Sequence, residues 1–288
     1  MNVVQCAAKG LREATVRPKL VLLLWLFNAL AAGLVYVVFL SSFGGTVGTS
    51  ALARDMAKKA DMNVIVEFVT SRGGAAVSEL VLVVLGLSLV YSLLAIFLHG
   101  GILQTLIQKG GGWRFAEVFF SGGGRFYGRF FRLEVYSLVL WAAAGLVYVL
   151  VDAFIDFNYR GSADESTMAI LTVVRILLAL FLVFLIKMIL DYARILIAGR
   201  DSRDVFRSLF EAVRFVFTKP VRTFALYYLL GVVGWAAFAV YEVLDSLVPQ
   251  TSALTIGLGF LLAQAFIAGR GWLKVAYQAS QGRTIGLI

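Results

Sequence analysis

The chain is poor in the residues that most functional chemistry needs. Its 288 residues include one cysteine, Cys6, one histidine, His99, and three prolines, and charged residues make up only 15%. A single cysteine excludes an intrachain disulfide framework. One Cys and one His cannot supply the four ligands of a structural zinc site. Soluble domains are about 25% charged and about 45–50% apolar, whereas this chain is 60% hydrophobic with a mean hydropathy of +0.88. That composition excludes both an ordinary soluble domain and a disordered chain. It leaves an all-α integral membrane protein, a single membrane domain over 1–288.

About 20 apolar residues in a helix cross a hydrocarbon core of about 30 Å. Six stretches qualify: 20–40, 80–107, 135–155, 168–189, 224–243 and 253–268. The fourth keeps its apolar pattern to Ala198, before Gly199. The runs lack period-2 alternation, so they read as helices, not barrel strands. The first run starts late, is too long for a signal-peptide core and has no small-residue cleavage site, so it is expected to stay in the membrane.

Charge separates the connecting segments. The N-terminal arm, 109–134, 191–222 and the C-terminal tail hold 19 Lys and Arg; the segments 41–79, 152–165 and 242–250 hold 5 and most of the acids. The positive-inside rule then expects both termini in the cytoplasm. The basic excess reflects this topology, with no aromatic-basic motif for nucleic acid.

An internal repeat is expected, with units of about 1–110, 111–200 and 201–288. Each is a helical hairpin preceded by a cytoplasmic amphipathic helix: 2–16 before Arg17-Pro18-Lys19, 113–131 with Arg129 and Arg132, and 203–217 before Lys219-Pro220-Val221-Arg222. In the third, Val205, Phe206, Leu209, Val213 and Val216 form an apolar stripe, and Asp201 or Ser202 are the expected N-caps. Pro220 should end that helix.

Asp191-Tyr192-Ala193-Arg194, followed by Asp201-Ser202-Arg203, the helix 206–217 and Lys219-Pro220, resembles the multi-pass membrane domain joined to some bacterial glycerophosphodiester phosphodiesterases. It is similar as well to the stand-alone six-helix relatives of that domain. The resemblance covers most of 100–288. It implies a bacterial inner-membrane protein and does not imply hydrolysis, since the acidic metal ligands of the soluble phosphodiesterase domain are not in this chain.

Two charge groups are candidate sites. Lys187 and Asp191 are four apart, with Arg194 extending the same face, and Arg175 lies near the other end of the span, within reach of Asp152 or Asp156. Ionisable groups inside spans are costly and face protein or water; these four form a candidate intramembrane polar path. The second group is a cytoplasmic basic belt of Arg125, Arg129, Arg132, Arg203, Arg207, Arg214, Lys219 and Arg222. Each such residue near a membrane surface contributes about 1 kcal/mol towards anionic lipid, so the belt is a candidate headgroup site.

The remaining polar features read as structural. His99 is expected to make a polar contact beside Gly100-Gly101. Asn28 and Gln264 are interhelical hydrogen-bonding residues, and Ala29-x-x-x-Gly33 and Ala265-x-x-x-Gly269 permit close helix approach. Gly110-Gly111-Gly112 reads as a helix stop and Gly122-Gly123-Gly124 as a joint, since neither is followed by the Lys-Ser/Thr of a phosphate loop. Trp113, Trp141, Trp235 and Trp272 are candidate interfacial anchors. In the outer segment, 51–60 and 64–69 are expected to lie on the membrane or cap the bundle.

No Ser-His-Asp, His-Glu-x-x-His or Cys-x-x-Cys signature is present, and no cofactor is expected. The expected role is non-enzymatic: binding or organising phospholipid, or serving as a membrane subunit of a larger assembly. The alternatives are a transporter or channel using the polar path, and a lipid-active enzyme using Asp152, Asp156, Asp164, Glu165, Glu242 and Asp245.

Overall fold

A computed structural model describes residues 2–47, 73–108, 112–159, 165–249 and 252–288, and side chains within these except at 38–47, 73–80, 112 and 165. The expectations for 51–60, 64–69, Gly110, Gly111 and Asp164, and for the side chain of Glu165, lie outside the described residues. The fold is all-α. Its helices are α1 Val3–Val16, α2 Pro18–Val47, α3 Gly73–Ile107, α4 Phe115–Tyr159, α5 Glu165–Gly199, α6 Val205–Thr218, α7 Pro220–Ser246 and α8 Ala253–Ile285, with a short 3-10 turn Gly112–Arg114 before α4.

Six of these helices are long and apolar enough to cross a membrane: α2, α3, α4, α5, α7 and α8. Their outward faces are bare of protein: Val139 is 71% exposed, Ile170 64% and Leu261 63%. Apolar surface on that scale needs lipid as its solvent. This is a multi-pass membrane protein.

Two of the three Pro residues mark the breaks. Pro18 and Pro220 each occupy the first helical position, where the missing N–H costs nothing. The residues before them share one backbone conformation: φ −116°, ψ 60° at Arg17 and φ −127°, ψ 54° at Lys219. The second amphipathic segment has no Pro, and the structure has no break there. It runs straight into the third span as the 45-residue α4, so only two of the three expected amphipathic helices are separate.

Gly122 and Gly123 are not a joint. They sit inside α4, where a Cβ on Gly122 would lie 2.2 Å from Gln104 Cβ and one on Gly123 2.6 Å from the Phe97 ring. Gly100 faces both of them from α3, where a Cβ would lie 2.9 Å from the Gly122 carbonyl oxygen, so the helix backbones come together at this glycine cluster, and Gly101 beside it makes room for the Phe119 ring. By contrast, Gly33 and Gly269 approach nothing within 4 Å, and the small-residue motifs containing them make no close crossing here.

The chain divides into two compact units, Leu22–Ala95 and Met1–Val21 with Ile96–Ile288. In the smaller one, Tyr91 donates to Asn28 Oδ1 at 3.1 Å, tying α3 to α2. In the larger one, the same relationship recurs three times. Each amphipathic segment packs against the end of the hairpin before it. The start of α4 meets the end of α3 through Phe119 and Gly101. α6 meets the end of α5 through Phe215 and Tyr192, ring centroids 5.2 Å apart. α1 meets the end of α8, the last hairpin, where Gly10 abuts Ser280, Trp272 donates to Thr15 at 3.1 Å, and Arg283 bonds Glu13 at 2.9 Å. Trp272 is therefore a packing residue; Trp113 and Trp235 remain exposed.

Candidate functional site

Where the ends of α3, α5, α7 and α8 converge they line a half-open cavity of ≈ 510 Å³. α5 contributes Lys187, Asp191 and Arg194, α8 contributes Arg270, Lys274, Tyr277 and Gln278, α7 contributes Tyr227, and α3 contributes His99. The apolar runs of α5 and α8 give way to charge at this level, which places four cations and one carboxylate around one volume.

Arg194 is already committed. It bonds Asp191 at 2.9 Å and also Glu134 on α4, and its side chain is only 12% exposed. Asp191 thus pairs with Arg194, not with Lys187 as its spacing suggested. The i,i+3 geometry wins because Arg194 is held in place from its far side by Glu134. Lys187, Arg270 and Lys274 make no hydrogen bond or ion pair with any described residue. His99 bonds the Gln278 amide through Nδ1 at 2.6 Å, the polar contact expected of it. The other Gln278 atom, Oε1, is buried without a partner. Tyr277 donates to the Tyr227 carbonyl at 2.9 Å and joins α8 to α7.

A second cavity, ≈ 630 Å³, adjoins the first and shares Tyr227, Arg270, Leu273 and Tyr277 with it. Its remaining walls are apolar and aromatic: Phe184 on α5, Val232, Trp235 and Phe238 on α7, and Phe266 on α8. Charge on one side and hydrocarbon-like surface on the other form one amphiphilic recess.

The other predicted residues are placed elsewhere. Arg175 forms an ion pair with Asp152 at 3.0 Å and donates a hydrogen bond to Asp156. Twelve residues of α5, about 18 Å, separate it from Lys187, and it does not line the cavity; the four-residue polar path is two separate features. In the belt, Arg125 and Arg129 both bond Asp201, at 2.5 and 2.6 Å. Arg132 Nε donates to the Gly128 carbonyl, Arg207 pairs with Glu211 at 3.3 Å, and Lys219 lies over the Phe215 ring at 5.6 Å. Arg222 points to Cys6 Sγ at 3.9 Å. Arg203 and Arg214 are exposed and form no ion pair with a described residue.

Asp201 does not cap α6; Asp204 does, accepting from the Arg207 N–H at 3.0 Å. Asp201 instead ends α5 with φ +52°. Ser202 N–H bonds the Ile197 carbonyl at 3.0 Å and Asp201 N–H the Ala198 carbonyl at 3.4 Å, the paired bonds of a left-handed helix stop. The two arginine hydrogen bonds, that of Arg129 foremost, hold the Asp201 carboxyl below the usual carboxylate range.

The sequence did not single out Arg270, Lys274, Tyr227 or Gln278. Arg270 and Lys274 lie i,i+4 just past the last apolar run, where in the sequence alone they read as cations of the C-terminal tail. Among the described residues no group of three His, Cys, Asp or Glu is placed to hold a metal ion. The chain matches no family model, no curated protein and no solved structure.

Proposed function

We propose that this protein of a bacterial inner membrane binds anionic phospholipid without altering it chemically, with the headgroup in the cationic cavity and an acyl chain in the adjoining groove. The observation that carries this reading is the shared wall of the two cavities. Lys187, Arg270 and Lys274 have no hydrogen-bond or ion-pair partner among the described residues and face a volume that continues into aromatic and aliphatic surface. Unpaired cations at membrane depth call for an anion or water.

The dimensions support it. Arg270 is 17 residues along α8 from Ala253, about 26 Å, and Lys187 is 22 residues along α5 from Glu165, about 33 Å. Both lie about one hydrocarbon thickness from the acidic end of the molecule. The positive-inside rule supports the cytoplasmic headgroup level for the cavity. Along α7 the groove runs from Tyr227 to Phe238, about 17 Å, close to half a bilayer core. The basic belt lies at the same end and draws the anionic leaflet to it, while the cavity selects one lipid.

The test is lipid retention by the intact protein purified in mild detergent and measured by native mass spectrometry. Lys187→Gln with Arg270→Gln is expected to lower bound anionic lipid about tenfold at unchanged helicity. The belt variant Arg203→Gln with Arg214→Gln is expected to leave the tightly held lipid in place. Equal retention by the cavity variant and the wild type overturns the reading.

A further inference from the structure

Resting on the lipid-binding reading, we infer that the cavity is matched to a phosphomonoester dianion in preference to a singly charged phosphodiester. Charge balance carries this step. Glu134 and Asp191, two carboxylates on two helices, neutralise Arg194 and leave one negative charge over. Against that one charge stand Lys187 from α5 and Arg270 and Lys274 from α8, around a volume lined by no carboxylate besides Asp191, so the group keeps a net charge of +2.

Like charges in a partly desolvated space repel strongly, because the local dielectric is far below that of water. A monoanionic diester compensates one of those two positive charges. A phosphomonoester carries close to two charges, which matches the net charge of the site, and three acceptor oxygens. Arg270 is the residue suited to two of those oxygens, since its planar fork matches phosphate geometry where a lysine ammonium acts as a point charge. The i,i+4 spacing places Lys274 on the same face of α8 one turn on, and Lys187 reaches in from α5. The Tyr277 hydroxyl donates to the Tyr227 carbonyl, so it is not free to donate to the anion.

The ligand chemistry has two sources, a lipid phosphomonoester and a free one, and the experiment separates them. The full-length protein is placed in nanodiscs of phosphatidylcholine doped with phosphatidate or with phosphatidylmethanol, at identical acyl chains and at pH 8. The two lipids differ by one methyl group and one charge. Native mass spectrometry is expected to show phosphatidate retained at least tenfold over phosphatidylmethanol. Arg270→Lys, which keeps the charge and loses the fork, is expected to cut that preference severalfold, and Lys187→Gln to bring it near parity.

Equal retention of the two lipids, both above phosphatidylcholine, overturns the dianion inference and leaves anionic-lipid binding standing. Retention of neither above phosphatidylcholine overturns both. In a third arm, methyl phosphate and dimethyl phosphate are added as competitors. Displacement of bound phosphatidate by methyl phosphate alone, at equal concentration, supports the dianion and assigns it to a soluble source, against the lipid reading. No displacement assigns it to the lipid.

Discussion

Asp201 accepts a hydrogen bond from Arg129 at 2.6 Å while its own backbone sits at φ +52°. A left-handed residue other than glycine costs about 1 kcal/mol or more, and the carboxylate offsets that cost by bonding Arg129 and Arg125 from α4. Asp201→Gly loses the ion pairs and relieves the backbone, whereas Asp201→Ala loses the pairs and keeps the strain. Chemical unfolding in detergent is expected to rank the wild type at or above the Gly variant, and the Gly variant about 1 kcal/mol above the Ala variant. A reversed order of the two variants contradicts this account.

The same contact has a pH signature. The Asp201 carboxyl is held below the ordinary range in the folded protein, mainly by Arg129. A carboxyl with a depressed folded pKa adds stability above its unfolded value, about 3.9, and loses that contribution as pH falls through the folded value. The stability gap between wild type and Asp201→Asn is therefore expected to be constant from pH 5 to 7 and to close below pH 4. Thermal unfolding of both proteins across that range measures it.

Gly122 and Gly124 are neighbours on α4 with opposite demands. A Cβ at Gly122 meets Gln104 Cβ at 2.2 Å and the Gly100 carbonyl at 3.0 Å, while one at Gly124 meets nothing. Overpacking of this kind costs about 1–3 kcal/mol. Alanine in an open helical position gains up to about 1 kcal/mol over glycine. Gly122→Ala is expected to lower the unfolding midpoint and Gly124→Ala to raise it; a common sign for both removes the close-approach explanation.

Much of this architecture is legible from the sequence, because the signals are local. Hydrocarbon thickness sets the length of each apolar run, and Pro18 and Pro220 set two helix breaks. The pairing of Arg175 with Asp152 and Asp156 follows from opposite charges placed near the adjoining ends of two consecutive apolar runs. The cavity is legible only in part. Lys187, Asp191 and Arg194 stand out as charges within an apolar run. Arg270 and Lys274, by contrast, follow the end of one, and nothing local distinguishes them from tail cations. Their meeting with Lys187 depends on how α5 packs against α8, over 70 residues away. Gly122 and Gly123 misled for a similar reason: glycine in isolation reads as a joint, and only its partner Gly100 reveals a helix crossing.

Arg194 separates structure from ligand binding within the cavity. Its guanidinium bridges Glu134 on α4 and Asp191 on α5 and is 88% buried as a side chain, with 12% exposed. Removing the cation leaves two carboxylates without a partner, and breaking such a buried pair costs about 3–5 kcal/mol. Arg194→Gln is therefore expected to unfold far more readily than Lys187→Gln, whose side chain is exposed and bonds nothing described. Adding Glu134→Gln to Arg194→Gln removes one of the stranded charges and is expected to restore part of the loss, by about 1 kcal/mol or more. Differential scanning of the four proteins in one detergent reads both effects. If Lys187→Gln destabilises as much as Arg194→Gln, then the free lysine is part of the scaffold and its place as a ligand-facing cation is lost.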